Sequence, residues 1–312
     1  MAFVAPKETY AGKVFEVVAG TDKTIVFGGE DVLPFNSFEG KVPNRPVIAY
    51  EIQDIPPDDW PEVVKKAYEG VSGDAVTWAK HCQDKLNAKA IALRLLGTHP
   101  DRLNRSPEEA AKIVKDVLAA INVPLIILGS NHAEKDASIL VAAAEAAKDK
   151  NCLIGKAQEA NYKTIVAAAM ANNHKLIAMS ELDINLSKQL NILITQMGFD
   201  KERMMTDPMC SALGYGLEYT YSVMERIRLA ALAQNDTTMQ PPMLADIGMY
   251  VWKVKETQAP EADLPLWGSL EERGIAWETV TAGALMLAGA EVLIMRHPAA
   301  VKAVEKFIDE LM

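Results

Sequence analysis

The sequence predicts a (β/α)8 barrel, an α/β fold, carrying an N-terminal β-hairpin, and three observations support this expectation. Short apolar runs alternate with longer helical patterns from residue 47 onward. The runs are apolar almost without interruption, as strands are when helices cover both faces of a parallel sheet. Eight strand units recur, the number that closes such a sheet into a barrel. An open doubly wound sheet is the competing arrangement. Against it, no Gly-rich dinucleotide turn follows the first strand, and Gly214-Tyr-Gly216 has Tyr219 where a third glycine belongs. There is no phosphate-loop lysine motif.

The chain begins with a hairpin, in which Val14–Val18 and Thr24–Phe27 flank a turn containing Gly20 and Asp22 and Gly28-Gly29 ends the pair. Residues 31–46, with Pro34, Pro43 and Pro46, lead into the barrel. Residues 1–46 are thus a hairpin and lead-in belonging to the barrel domain of residues 47–312. Val47–Ile52 is the first barrel strand, and helical signals over 60–87 follow it, with Pro61 in one first turn and Ser72 as a cap for the next piece. Lys89–Leu96 is the second strand; Ser106-Pro107-Glu-Glu109 then opens a helix with a cap, a first-turn proline and a capping-box glutamate. Pro124–Leu128 is the third strand, with an alanine-rich helix over 133–148. Asn151–Ile154 is a short fourth strand ahead of a helix at 160–172, and Lys175–Met179 is the fifth, ahead of Ile184–Met197. Arg203–Thr206 is the sixth, with a helix over 217–234, and Pro242–Ala245 the seventh, with a long connection carrying Tyr250, Trp252 and Trp267. A helix at 269–288, the strand Val292–Met295 and the helix Pro298–Leu311 complete the series.

A net charge of -10 argues against a nucleic-acid or anionic-membrane partner, both of which call for a surplus of Lys and Arg. No run of about eighteen apolar residues occurs, and Met1–Lys7 lacks the basic region and apolar core of a signal peptide, so a cytoplasmic location is expected. The three cysteines, Cys82, Cys152 and Cys210, lie far apart and read as small buried residues. An all-cysteine iron–sulfur cluster needs four such ligands and cannot be built within one copy.

In a barrel, function sits at the carboxyl ends of the strands. Those ends are Glu51 and Asp54, Thr98 and His99, Ser130 and Asn131, Lys156, Ser180 and Asp183, Asp207, Asp246, and Arg296 with His297. The five histidines are not spaced as a metal pair, and a metal site would need Asp207, Asp246 and His297 to converge. A buried Lys156 with a lowered pKa would be a Schiff-base nucleophile. In the helix after Gly216, Leu217, Tyr221, Met224, Ile227 and Ala231 form the buried stripe, with Glu225 and Arg228 away from it at ion-pair spacing.

The run Asp207-Pro208, then Ala212 to Leu232, resembles the signature of the small (delta) subunit of the corrinoid iron–sulfur protein in the acetyl-CoA synthase/CO dehydrogenase system. Asp183-Ile-Asn185, Lys188-Gln-Leu-Asn191, Trp277-Glu278 and His297-Pro298 add to the likeness. The resemblance implies a barrel paired with a large subunit that holds the 4Fe-4S cluster, with a cobalamin between the two. That cobalamin takes a methyl group from methyltetrahydrofolate on a separate methyltransferase and passes it to acetyl-CoA synthase, the reductive acetyl-CoA route of carbon fixation. The corrinoid-facing surface expected from it comprises Asp207, Met209, Cys210, Ser211, Gly214, Tyr215, Asp246 and Arg296, with no catalytic or metal-ligating residue of its own. Met209 and Cys210 stand where threonines commonly follow Asp-Pro, and Gly155-Lys-Ala-Gln158 replaces a small-residue stretch. Two alternatives remain open: a pterin-dependent methyltransferase using Asn131, Asp207 and Asp246, and a lyase using Lys156.

Overall fold

Strands buried on both faces, each followed by a helix, lose their edges altogether when the sheet closes on itself. In the computed structural model, which describes residues 6–312, they do so. An antiparallel hairpin, β1 (Val17–Ala19) and β2 (Ile25–Phe27), precedes eight parallel strands: β3 (Val47–Gln53), β4 (Ala90–Arg94), β5 (Leu125–Leu128), β6 (Leu153–Ala157), β7 (Lys175–Met179), β8 (Met204–Asp207), β9 (Met243–Asp246) and β10 (Ala290–Met295). Each barrel strand pairs with the next, and β10 returns to β3 with Val292 opposite Val47.

Among the described residues, ten α-helices stand outside. α1 (Glu62–Ala67) and α2 (Ala75–Asp84) follow β3, and α3 (Pro107–Ala120), α4 (Ala133–Ala146), α5 (Tyr162–Ala171), α6 (Ile184–Gln196) and α7 (Leu217–Leu232) each follow one of the next five strands. α8 (Ile247–Val251) and α9 (Leu270–Leu287) both lie between β9 and β10, and α10 (Pro298–Leu311) ends the chain. The capping box predicted at Ser106 and Glu109 forms in both directions. α2 is capped by Asp74, which accepts from Thr77 N, rather than by Ser72; a carboxylate directly before the first turn suits the positive end of the helix.

Two apolar layers hold the barrel. The outer one lies between strands and helices, and the inner one fills the barrel with Ala49, Ala92, Ile126, Leu128, Leu153, Ile177, Met205, Leu244 and Ile294. Val17, Ala19 and Phe27 belong to that inner layer and are fully buried, so the hairpin plugs the amino-terminal end. Asn151 ties it in place, its Nδ2 donating to Val18 O (2.9 Å) while its carbonyl accepts from Gly20 N (2.9 Å).

Two further sequence expectations change here. β6 runs from Leu153 to Ala157, so Lys156 lies within the strand instead of after it. Arg228 is buried, pairing with Glu291 and lying 3.4 Å from Glu30, instead of facing solvent beside Glu225. A guanidinium can cross a helix–sheet layer when carboxylates from the lead-in and from β10 meet it there.

A charged mouth at the carboxyl end of the barrel

The apolar filling stops one layer below the carboxyl ends of the strands. Above it six charged side chains, Glu51, Arg94, Lys156, Asp207, Asp246 and Arg296, are almost completely buried. Arg94 donates from Nε to Glu51 Oε1 (2.8 Å) and from Nη2 to both oxygens of Asp246 (3.0 and 2.8 Å). Lys156 Nζ donates to Asp246 Oδ2 (2.7 Å) and makes an ion contact with Asp207 Oδ2 at 2.8 Å. Arg296 closes the other end, with Nε 2.9 Å from Glu51 Oε2 and Nη2 3.0 Å from Oε1. Its guanidinium also lies over the Trp60 ring, 4.4 Å from the centroid. Three cations and three anions sum to zero, which is how a buried layer of charge is tolerated.

This pairing fixes the protonation states. Burial works to lower the Lys156 pKa, but Asp207 and then Asp246 outweigh it and hold the amine as an ammonium well above its ordinary value. The lowered pKa required of a Schiff-base lysine is therefore not what this environment produces. Burial raises Asp246, yet Arg94 and Lys156 more than reverse it, leaving a carboxylate far below its usual range. Glu51 is likewise lowered, by Arg296 and Arg94 against burial. Asp207 stays raised, because burial and the neighbouring Asp246 exceed the pull of Lys156.

Of the residues expected to form the corrinoid-facing surface, Asp207, Asp246 and Arg296 meet in this network, while Cys210 and Ser211 are buried beside it. Asp207 Oδ1 accepts from Met209 N (2.8 Å), which turns the loop after β8 back on itself and holds Met209 at a φ of 60°. Met209 is half-buried, and Gly214 and Tyr215 are exposed further out. Gly214 has a φ of 80°, and a Cβ there would meet Trp277 Cζ2 at 3.2 Å, so the close approach this glycine permits is to an aromatic ring of the same chain. Trp277 Nε1 donates to Leu213 O and its ring stacks on Trp267. Next to it, Glu278 accepts from Arg296 N and His297 N, and burial pushes its pKa up to about 7. Trp277-Glu278 thus braces the loops after both β8 and β10. His297 caps α10 with Pro298 in its first turn, and Asp183 caps α6 by accepting from Asn185 N (2.7 Å).

A cavity of about 280 Å³ opens beside the network, lined among others by Gln53, Arg94, His99, Ser130, Asn131, Met249, Lys253 and Arg296. Gln53 and Arg94 were not singled out from sequence. The available signal was a polar residue interrupting an apolar strand, which in a barrel marks an inward position near the mouth. Among the described residues, no three His, Cys, Asp or Glu side chains are grouped to hold a metal ion, so Asp207, Asp246 and His297 do not converge. No described helix is long and apolar enough to cross a membrane.

Solved structures with similar folds include a Coxiella burnetii dihydropteroate synthase in complex with pteroic acid (TM-score 0.59, 12% identity, 95% of this chain and 98% of that one). A Xanthomonas albilineans dihydropteroate synthase with 4-aminobenzoic acid is also similar (TM-score 0.56, 14% identity, 86% and 95%). At such identities the likeness concerns the barrel alone. Sequence relatives are much nearer. The acetyl-CoA decarbonylase/synthase complex subunit delta of Methanothermobacter thermautotrophicus is 34% identical over 96% of this chain and 76% of its own length. That of Methanocaldococcus jannaschii is 34% identical over 96% and 75%. The family described as CO dehydrogenase/acetyl-CoA synthase delta subunit matches residues 15–306, and with these relatives it shows that the chain belongs to the delta-subunit family of the acetyl-CoA decarbonylase/synthase complex.

Proposed function

We propose that this barrel is the small subunit of a corrinoid iron–sulfur methyl carrier in the cytoplasm, walling a cobalamin held jointly with a larger subunit that carries the 4Fe-4S cluster. When bound, the corrinoid supplies a cobalt that accepts a methyl group from a methyltetrahydrofolate methyltransferase and yields it to acetyl-CoA synthase. The observation that carries the reading is the delta-subunit family joined to a mouth whose six buried charged side chains are already paired with one another. Lys156 is held as an ammonium and Asp246 and Glu51 as carboxylates, so none is poised to exchange a proton near neutral pH. Their role is positional. Asp207 sets the loop that carries Met209, Cys210 and Ser211; the same stretch leads to Gly214 and Tyr215, which reach the surface a flat macrocycle would meet. Arg296, clamped by Glu51 and Trp60, forms the opposite rim. Such a wall limits water at a strongly nucleophilic metal centre.

A pterin-binding methyltransferase would need Asp207 and Asp246 to leave Lys156 and Arg94 before they could hold a pterin, which weighs against that alternative. The decisive measurement is the visible spectrum of the chain purified alone and with its co-expressed large subunit. Cobalamin bands in the complex and none in the isolated chain are expected. A complex that forms without acquiring cobalamin under corrinoid-replete conditions would remove the reading.

A further inference from the structure

The cavity beside the network carries an excess of positive charge on its walls. Arg94, Arg102, Lys253 and Arg296 line it, against Asp59 and Asp101. Arg94 and Arg296 belong to the network, whose six charges cancel. Arg102 lies 3.6 Å from Asp59, an ion contact too long for a hydrogen bond. The Asp101 side chain is 92% exposed, so water screens its charge. Lys253 enters no ion pair among the described residues. The field at its amine is positive as well: partial burial lowers its pKa most, and beyond that Arg296 outweighs Asp59 and Arg94 outweighs Glu51. His99, also on the wall, adds a neutral donor. Its Nδ1 accepts from Asp101 N (3.1 Å), which leaves the ring proton on Nε2.

We propose that this cavity binds the oxyanion group, carboxylate or phosphate, of a small molecule, with Lys253, Arg102 and His99 as its donors. Two separate loops supply them: His99 and Arg102 follow β4, and Lys253 follows α8. An ammonium and a guanidinium fork both form charge-assisted hydrogen bonds to such oxygens. A cation would be repelled by Lys253, and a neutral ligand would leave its charge unmatched. At about 280 Å³, several times the ~30 Å³ that one water occupies, the cavity has room for the anionic group and a short carbon body, which Leu96 and Met249 would meet. In the ring of strands β4 stands opposite β8, so the cavity lies across the mouth from the loop that carries Met209. The site goes beyond the corrinoid reading and does not depend on it.

The test is a pair of calorimetric titrations of the full chain, one with inorganic phosphate and one with acetate, at a fixed ionic strength set with chloride. Each is run with the wild-type protein, with Lys253→Met and with Lys255→Met, a change at an exposed lysine that does not line the cavity. Saturable one-to-one binding of at least one anion is expected, and the tighter of the two identifies the class of acid. Lys253→Met should raise its Kd about ten-fold or more, the loss of one hydrogen bond to a charged group, while Lys255→Met leaves it unchanged. Lys253 holds no ion pair, so the variant should melt with the wild type. If it melts lower, the wild-type protein decides the matter: saturating anion should slow acetylation of the Lys253 amine several-fold relative to Lys255, read by peptide mass spectrometry. No saturable binding of either anion, equal weakening by both substitutions, or a Lys253 labelling rate that the anion leaves unchanged overturns the site. None of these outcomes touches the uptake of cobalamin by the complex, so the corrinoid reading stands or falls separately.

Discussion

Lys156 stands between two carboxylates and is almost completely buried, so the consequence of removing its charge is large and of known sign. Lys156→Met would leave Asp207 and Asp246 facing each other in the barrel mouth. We expect it to cost about 3–5 kcal/mol in denaturant unfolding, the usual penalty for deleting one partner of a buried pair. Glu278 has the opposite electrostatic position: burial raises its folded-state pKa from 4.5 to about 7, while its two oxygens accept backbone N–H groups of Arg296 and His297. Between those pKa values the folded state binds more protons than the unfolded one, so this group's contribution is fullest below pH 4.5 and is lost as pH rises through 7. The contribution is on the order of 3 kcal/mol. Glu278→Gln should therefore flatten the fall in stability between pH 5 and 8, as read from melting temperatures across that range. An unchanged slope would assign it to Asp207, whose raised pKa has the same sign. At acid pH the depressed Asp246 and Glu51 act in the other direction, their contribution vanishing as they protonate.

Among the elements, the hairpin was legible as a hairpin from its turn residues, and its place at the lower end of the barrel follows from a physical need. Small inward residues such as Ala49, Ala90 and Ala92 leave the lower barrel underfilled, and Phe27 supplies the missing volume. Phe27→Ala is expected to destabilise by about 3–5 kcal/mol, a core-sized loss from a segment outside the barrel strands. A cost below 1 kcal/mol in chemical unfolding would show that the barrel stands without its plug. The strands themselves were readable because a parallel strand covered on both faces has an unmistakable apolar run. β6 was the exception. Its carboxyl half, Gly155-Lys156-Ala157, offers a glycine and a charge, and only the carboxylates of β8 and β9 make a lysine tenable at an inward strand position. Arg228 eluded helical periodicity for the same reason, since Glu30 and Glu291 lie far from it in sequence. Long-range charge pairing is invisible to any local pattern.

At the scale of the whole molecule, the barrel rhythm located the mouth and the family signature located the loop after β8, but neither foretold that the mouth is filled by its own ion pairs. What the signature residues Trp277 and Gly214 do became clear only from their contact with each other. Near that contact lie several of the exposed aromatic side chains among the described residues. Tyr215 (74% exposed) and Tyr219 (66%) lie at the start of α7, and Trp267 (46%), stacked on Trp277, extends the face toward Leu266 (95%). Exposed amphipathic rings of this kind suit a partner subunit better than solvent. Its residues contribute little to folding, so Tyr215→Ser combined with Trp267→Ser should change unfolding stability by less than about 1 kcal/mol in total. The same pair should weaken association with the proposed large subunit by at least ten-fold in a co-purification or titration assay, because exposed aromatics that become buried carry a disproportionate share of binding energy. Wild-type affinity in the double variant would move the interface away from the loop after β8, and with it the corrinoid-facing role proposed for Met209 and Tyr215.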